Sequence, residues 1–472
     1  METKAAVIEK SLADDWSQVP LSELVEYATG GAWGELPDTA DGKTSIVAAC
    51  IRGTDFRDWE VRKASAAVSR AIEAKSLDKR RLRVGDILLE VSGGGPEQPV
   101  GRTVLIDEEA IETAEGRPMV PTNFLRLLRL RDEVDAAFVN YYLKFFYATG
   151  NISDYQGGSN NLRNLRFKDY LTIEIPLAPL PEQRRIVSAI ETQLGRLDAA
   201  VARLHAAKAN LKRYKQAVLK AAVEGTLGTV PSPTKEETGQ EMLERLLNQR
   251  RAQWSGRGKY KEPAAPDLGE LQELPDGWAW ATVEQISTKV VDGVHKKPNY
   301  VEAGVPFITV RNLTAGPGIS FETLKFITEE DHAEFIKRAN PEFGDVLITK
   351  DGTLGVVRFV ATDKVFSIFV SVAMIKPVDR SMGEYLSVAL TSPVVQVQMV
   401  PKGSGLQHIH LEDLRADCVP IPPMSIQRCI VEEYKSYERQ IQEIESTLDA
   451  QLDQSARLRQ AVLTRAFEGR LV

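Results

Sequence analysis

Residues 181–190 read PEQRRIVSAI and residues 211–227 read LKRYKQAVLKAAVEGTL; the end of the chain repeats them as SIQRCIVEEY (425–434) and ARLRQAVLTRAFEGRLV (456–472). Gln183 matches Gln427, Gln216 matches Gln460, and Glu224-Gly225 matches Glu468-Gly469, all displaced by 244 positions (183 to 427). An ungapped repeat of this kind constrains the architecture before any other reading. The first copy is a long helix. Pro181 suits a first turn, nothing breaks the chain from Glu182 to Glu224, and Gly225 is a stop signal. Ile190, Leu194, Leu197, Val201, Leu204, Leu211 and Val218 alternate in steps of four and three, the seam of a coiled coil, with Lys208 and Lys215 intruding. The second copy carries Tyr434, Ile441, Ile444, Leu448, Leu452 and Val462. At 1.5 Å per residue each helix is about 60 Å long. One apolar stripe of that length needs a partner, and each copy is the other's nearest candidate, packed antiparallel.

Working outward, the rest of the chain duplicates too. VPFITVRN (305–312) mirrors SIVAACIRG (45–53), with Arg311 set against Arg52. FGDVLITKDG (343–352) mirrors VGDILLEVSG (84–93), with Gly344-Asp345 against Gly85-Asp86, and both matches share a displacement of 259. Trp278 answers Trp16, Lys402-Gly403-Ser404 lies near Gly157-Gly158-Ser159, and CVPIPPMSIQR repeats IEIPLAPLPEQR. Likeness is strong in the helices, while the flanking bodies share only a skeleton. The expected fold class is α+β: two similar mixed α/β bodies joined by two long antiparallel coiled-coil helices, with pseudo-two-fold symmetry. The boundaries are 1–180 for the first body, 181–227 for its helix, 228–274 for a Gly/Pro-bearing connector with one short amphipathic helix, 275–424 for the second body and 425–472 for its helix.

Composition sets outer limits. A chain of 472 residues, 43% hydrophobic and 26% charged, is ordinary globular protein of several domains. No apolar run approaches the ~20 residues of a membrane span, and METKAAVIEK lacks a signal-peptide core, so a cytoplasmic location is expected. Cys50, Cys418 and Cys429 form no C-x-x-C pair and are expected as free thiols. A net charge of −7 excludes a general nucleic-acid coat but not a local basic groove, and cations outnumber carboxylates between Pro181 and Gly225.

In order and duplication, the segments around IPLAPLPEQRRI, RYKQAVLKAAVEGTL, GRGKYKEPA and GDVLITKDG resemble the specificity subunits of type I restriction–modification enzymes. The resemblance covers essentially the whole chain. It implies a non-catalytic subunit whose two bodies are target recognition domains, each reading half of a split double-stranded DNA target through the major groove. It implies two modification subunits that methylate adenine with S-adenosylmethionine, and two motor-nuclease restriction subunits using ATP and Mg²⁺, with no cofactor in this chain. The paired helices would act as a ruler; about 60 Å allows at most about 17 base pairs between the centres of the two domains. Deleting whole heptads from both helices then shortens the spacer of the target, and an unchanged spacer refutes the ruler. A self-contained methylase or nuclease with fused recognition domains is the alternative.

DNA contact needs cations for phosphate and fork-shaped or amide groups for base edges. Beside glycine-bearing turns, the candidates in the first body are Lys43, Arg52, Ser92, Arg102, Ser159, Asn160, Asn161 and Arg163. In the second they are Lys296, Lys297, Arg311, Asn312, Lys350, Lys402, Ser404, Gln407 and His408. Other motifs are weaker. Asn340-Pro341-Glu342-Phe343 is similar to the loop that grips a flipped adenine in N6-methylases, but has Glu third and no glycine-rich methyl-donor motif before it. Gly42-Lys43-Thr44 ends like a phosphate loop, but Pro37 stands where glycine is required. Pro37-Asp38 with Asp41-Gly42-Lys43 spaces its carboxylates too tightly for a nuclease. His408 and His410 share a face without a third ligand, so no metal site is expected.

Overall fold

The computed structural model describes residues 15–95, 98–158, 163–227, 237–256, 258–269, 271–322, 325–403 and 407–471. Contacts divide the chain into two compact units, residues 1–205 with 449–472, and residues 206–448. The division falls inside both long helices, so each unit holds one body, part of its own helix and part of the other.

The first body contains β1 (Ser17–Pro20), β2 (Val25–Gly30), β3 (Ser45–Ile51), β4 (Val68–Glu73), β5 (Ile87–Glu90), β6 (Ser92–Gly94), β7 (Thr103–Leu105), β8 (Met119–Pro121), β9 (Leu125–Leu130), β10 (Gln156–Gly157), β11 (Arg163–Leu165) and β12 (Glu174–Leu177). They form sheets ordered β2-β9-β5-β7, β4-β3-β8, β10-β11-β6 and β1-β12. The helix α1 (Ala136–Ala148) starts at Asp135, whose carboxylate accepts the Phe138 N–H at 3.0 Å. It lays Phe138, Val139, Tyr142, Leu143 and Phe146 into the core. Then comes α2 (Leu180–Val223).

The segment 228–274 is more than a connector. Its α3 (Gly239–Ala252) opens with a Thr238–Glu241 capping box and inserts Met242, Leu243 and Leu246 into the second body's core. The apolar stripe of α3 fits that core better than water. The strands that follow are β13 (Ala279–Thr282), β14 (Ser287–Asp292), β15 (Tyr300–Val301), β16 (Val305–Ile308), β17 (Lys325–Ile327), β18 (Val346–Thr349), β19 (Val357–Phe359), β20 (Ser367–Ile368), β21 (Val372–Pro377) and β22 (Cys418–Ile421), with α4 (Gly383–Thr391) and α5 (Met424–Phe467). Their sheets run β14-β21-β18-β19, β15-β17-β16-β20 and β13-β22.

The order β2-β9-β5-β7 is β14-β21-β18-β19 over again, and β4-β3-β8, with β3/β8 parallel, returns as β17-β16-β20, with β16/β20 parallel. A buried ion pair is repeated at the same ladder position. Asp86 accepts two bonds from Arg129 (2.8 and 2.7 Å) and one from the Arg83 N–H. Asp345 accepts from Lys376 (2.8 Å) and the Glu342 N–H (2.9 Å), but its Oδ1 has no partner. Each aspartate follows a glycine at φ near +90°, a conformation that strains any side chain (Gly85, Gly344). The Tyr142 hydroxyl donates to the Glu174 carbonyl, and Tyr385 does the same to Pro420.

This repeat corrects one sequence match. Thr122 N–H donates to the Ile51 carbonyl and Phe369 N–H to that of Ile308. The Arg52 and Thr309 N–H groups that follow then each donate to a side-chain oxygen three residues on, of Asp55 and of Asn312. The displacement here is 257, not 259, so Arg311 corresponds to Thr54 and Arg52 to Thr309. Two extra residues enter the second body before Gly344-Asp345.

In the first unit, Ile186, Val187, Ile190 and Leu194 of α2 pack with Leu463, Ala466 and Phe467 of α5, and Phe467 meets Phe138 and Tyr142 edge to face. In the second, Val218, Leu219, Ala222 and Val223 pack with Ile426, Ile430, Val431 and Tyr434. The start of each helix thus lies against the end of the other, which is antiparallel pairing. All seven expected seam positions of α2 are buried or half-buried, and so are Lys208 and Lys215. Lys215 meets this by reaching Glu438 at 3.9 Å. Ile444 departs from the expected stripe of α5: it is exposed, and Glu445 occupies the seam side instead. Arg459 pairs with Asp198. No helix among the described residues is long and apolar enough to cross a membrane.

Candidate nucleic-acid interface

The first body has a cleft where β2 ends, beside the turn after β5, and the second body repeats the backbone geometry of that place where β14 ends, beside the turn after β18. In both, a glycine lets two backbones touch. A Cβ on Gly31 would lie 2.1 Å from the Thr122 carbonyl oxygen, and one on Gly293 2.1 Å from that of Ile368. The Val91 N–H donates to Phe124 and the Lys350 N–H to Ser371, both at 2.9 Å. Phe124 and Ser371 are therefore equivalent, as are Thr122 and Phe369.

The first cleft has a volume of about 590 Å³. Its lining includes Arg52, Arg57, Arg102, Glu90, Trp33 and Phe124, with Ser92, Gly93 and Gly94 along one wall. Glu90 is buried and clamped by Arg102 at 2.6 and 2.8 Å, while Arg102 also donates to the Gly53 carbonyl. The Glu90 hydrogen bond holds the Arg102 guanidinium above its ordinary pKa against the effect of burial. Arg52 is bound to Asp55 and to the Ala66 carbonyl, leaving about two-fifths of its side chain exposed. Phe124 is 56% exposed and Trp33 40%, the latter stacked by the Arg70 guanidinium at 4.6 Å.

In the second body the same place is ionic. Buried Asp292 accepts Arg338, lies 3.3 Å from Lys350 and 3.2 Å from His295. Burial opposes the Asp292 charge, but the Arg338 hydrogen bond and the nearby cations outweigh it and lower the pKa. His408 binds Asp351, the position equivalent to Ser92, which donates to Asn164 at 2.5 Å in the first body.

The expected DNA residues divide accordingly. Arg52, Ser92 and Arg102 line the first cleft, and Arg163 pairs opposite Gly94 beside it. Lys350 and His408 stand at the matching place in the second body, against Asp292 and Asp351. Lys402 bridges to His408 while its ammonium reaches Asp413 at 2.8 Å, and Gln407 is exposed next to them. Lys296 and Lys297 are exposed just past His295, and Arg311 is exposed on the short helix after β16. Two expectations need correction. Lys43 sits at the opposite end of β3 from the cleft, some 25 Å away along the strand. The turn around it is closed on itself, with the Asp41 carboxylate accepting the N–H groups of Lys43, Thr44 and Ser45, so those amides are taken and no phosphate loop exists. Asn312 is buried, its Oδ1 bound to Thr309 and its Nδ2 to Ser320, so it caps a helix and cannot read a base. Ser159, Asn160, Asn161 and Ser404 lie outside the described residues.

Sequence reasoning passed over Trp33, Arg57, Phe124, Arg338 and His295. The usable signal was the Gly31/Gly293 correspondence, which places Trp33 and His295 two residues further on. The methylase-like loop is committed to scaffolding: Glu342 pairs with Lys376 and Arg380, and Asn340 donates to Glu342. Among the described residues no group of three or more His, Cys, Asp or Glu could hold a metal. The thiols are free, and burial pushes Cys50 up to about 11.

Residues 276–454 match the family described as type I restriction modification DNA specificity domain. The chain is similar to the EcoBI specificity subunit of Escherichia coli, 26% identical over 70% of this chain and 66% of the relative. It is similar also to the EcoKI specificity subunit of Escherichia coli K12, 24% identical over 74% and 68%. The alignments thus span about two thirds of these relatives' lengths. Among solved structures, a chain from a study of complex assembly and conformational transition of the type I R-M system superposes with TM-score 0.69 at 17% identity, over 98% of this chain and 99% of that one. The HsdS subunit of Thermoanaerobacter tengcongensis superposes with TM-score 0.50, also at 17% identity, over 98% and 99%. Residues 276–454 thus match a type I restriction modification DNA specificity domain, and the chain as a whole is similar in sequence to type I specificity subunits and shares the fold of the two solved structures.

Proposed function

We propose that this chain reads a bipartite double-stranded DNA target, one half-site per body, and carries the catalytic subunits of a type I restriction–modification complex. The observation that supports this is one strand frame used twice with different side chains at the same place: aromatic and arginine in one, lysine, histidine and carboxylate in the other. A frame retained while its reading surface changes suits two different half-sites. Exposed cations such as Arg57, Lys296, Lys297 and Arg311 hold phosphates, and the cleft side chains meet base edges. Two modification subunits supply adenine N6-methylation from S-adenosylmethionine, and two restriction subunits supply ATP- and Mg²⁺-dependent translocation and cleavage. The chain itself has no catalytic role in this reading.

The test is methylation mapping. Expressed with its modification subunits in a host lacking adenine methylation, the chain directs methylation to a split motif. Replacing the second-body residues Arg338, Lys350 and His408 alters one half of that motif and leaves the other. Methylation by the purified chain alone, or both halves changing together, overturns the reading.

A further inference from the structure

The first cleft is larger than an edge-on contact with stacked bases requires. A cavity of about 590 Å³ is in the range that encloses a small ligand. Its rim carries two large aromatics left in water, Phe124 and Trp33. Its lining includes the buried Glu90 carboxylate, clamped by Arg102. Gly93, Gly94 and Gly95 form a wall without side chains, which admits a flat group close to the backbone. The cation at the mouth is Arg57, exposed and in no ion pair among the described residues.

None of this is demanded by the frame. In the second body Ser371 replaces Phe124, Phe369 replaces Thr122, Thr349 replaces Glu90, and ionic contacts occupy the site. The distinctive features of the first cleft therefore serve its own ligand. Flat aromatic surface, a fixed carboxylate–guanidinium pair and a phosphate-attracting mouth suit a nucleobase still attached to its strand.

Resting on the DNA-reading function above, we propose that the first cleft takes in one unstacked nucleobase of its half-site, stacked on Phe124 and Trp33. The base is held as a recognition element and is not a methylation target.

The full chain with its modification subunits, on duplexes carrying 2-aminopurine at each position of the mapped half-site in turn, tests this. The expected result is a fluorescence rise at one position other than the methylated adenine. That rise is lost in Phe124→Ala with Trp33→Ala and restored by Phe124→Tyr, while the rise at the methylated adenine persists as an internal control. Binding to this half-site weakens about 5- to 150-fold in the alanine variant, the range of one lost base–aromatic stack. Both side chains are exposed, so the fold should survive, and an unchanged unfolding temperature checks it. A rise only at methylated positions, or an extra rise indifferent to Phe124, overturns the proposal and leaves the DNA-reading function standing. Absence of sequence-dependent binding by the intact complex overturns both.

Discussion

At one topological address the first body places Phe124, Thr122 and Glu90, and the second places Ser371, Phe369 and Thr349, while the strands that hold them keep the same order and pairing. What differs at this address is the side chains. What is shared is backbone geometry: glycines at the close approach, an aspartate after a left-handed glycine, and a tyrosine bound to an edge-strand carbonyl. Selection for a frame acts on groups whose removal unfolds it, and selection for reading acts on groups the frame can spare.

The largest effect should come from breaking the shared frame. Asp86 meets Arg129 through two bonds, whereas Asp345 meets Lys376 through one oxygen and leaves the other bare. Burial raises the pKa of Asp345 despite the Lys376 hydrogen bond, so its charge is less well compensated. Asp86→Asn should therefore cost about 3 kcal/mol and Asp345→Asn about 1–2 kcal/mol, read by denaturant unfolding. Equal costs would show that the two pairs are interchangeable.

Next is a difference hidden in the core. Edge-strand pairing sets Asp417 where the first body has Ile173, since Val283 N–H donates to the Asp417 carbonyl and Leu21 N–H to that of Ile173. Burial, aided by Asp413, pushes Asp417 up to about 7. A carboxyl raised in the folded state keeps its proton while the unfolded chain loses its own. Stability is then full below about pH 4 and falls as pH rises towards 7. Asp417→Ile should gain about 2 kcal/mol at pH 8, nothing near pH 4, and flatten the profile between. A gain independent of pH would assign the effect to packing alone.

Smaller effects belong to the reading surfaces and helices. Lys296→Ala removes one exposed cation beside His295, so DNA affinity should fall about tenfold and the slope of log affinity against log salt should shrink by about 1. An unchanged slope would remove Lys296 from the phosphate contacts. Arg459→Ala should cost less than 1 kcal/mol, because both it and Asp198 are substantially exposed. A larger loss would mean the helix pair depends on charge more than on its apolar seam.

The α2 seam could be read residue by residue, because a period of four and three leaves little choice about which face is buried. Ile444 could not: several apolar residues of α5 compete, and contact with α2 selects among them. The Arg52–Arg311 match failed because similar residue types align readily across a two-residue slip. The hydrogen bonds of Ile51 and Ile308 are what reveal the slip.

Linear order alone established a duplication, two long helices and the place where each body repeats. These follow from local rules, since periodicity, caps and glycine stops act over a few neighbouring residues. Which cations are free and which are spent on Asp55, Glu90 or Asp292, and that Trp33 and Phe124 share one cavity though 91 positions apart, came from folding. Those facts depend on strands distant in the chain meeting edge to edge, and no short-range pattern records such meetings.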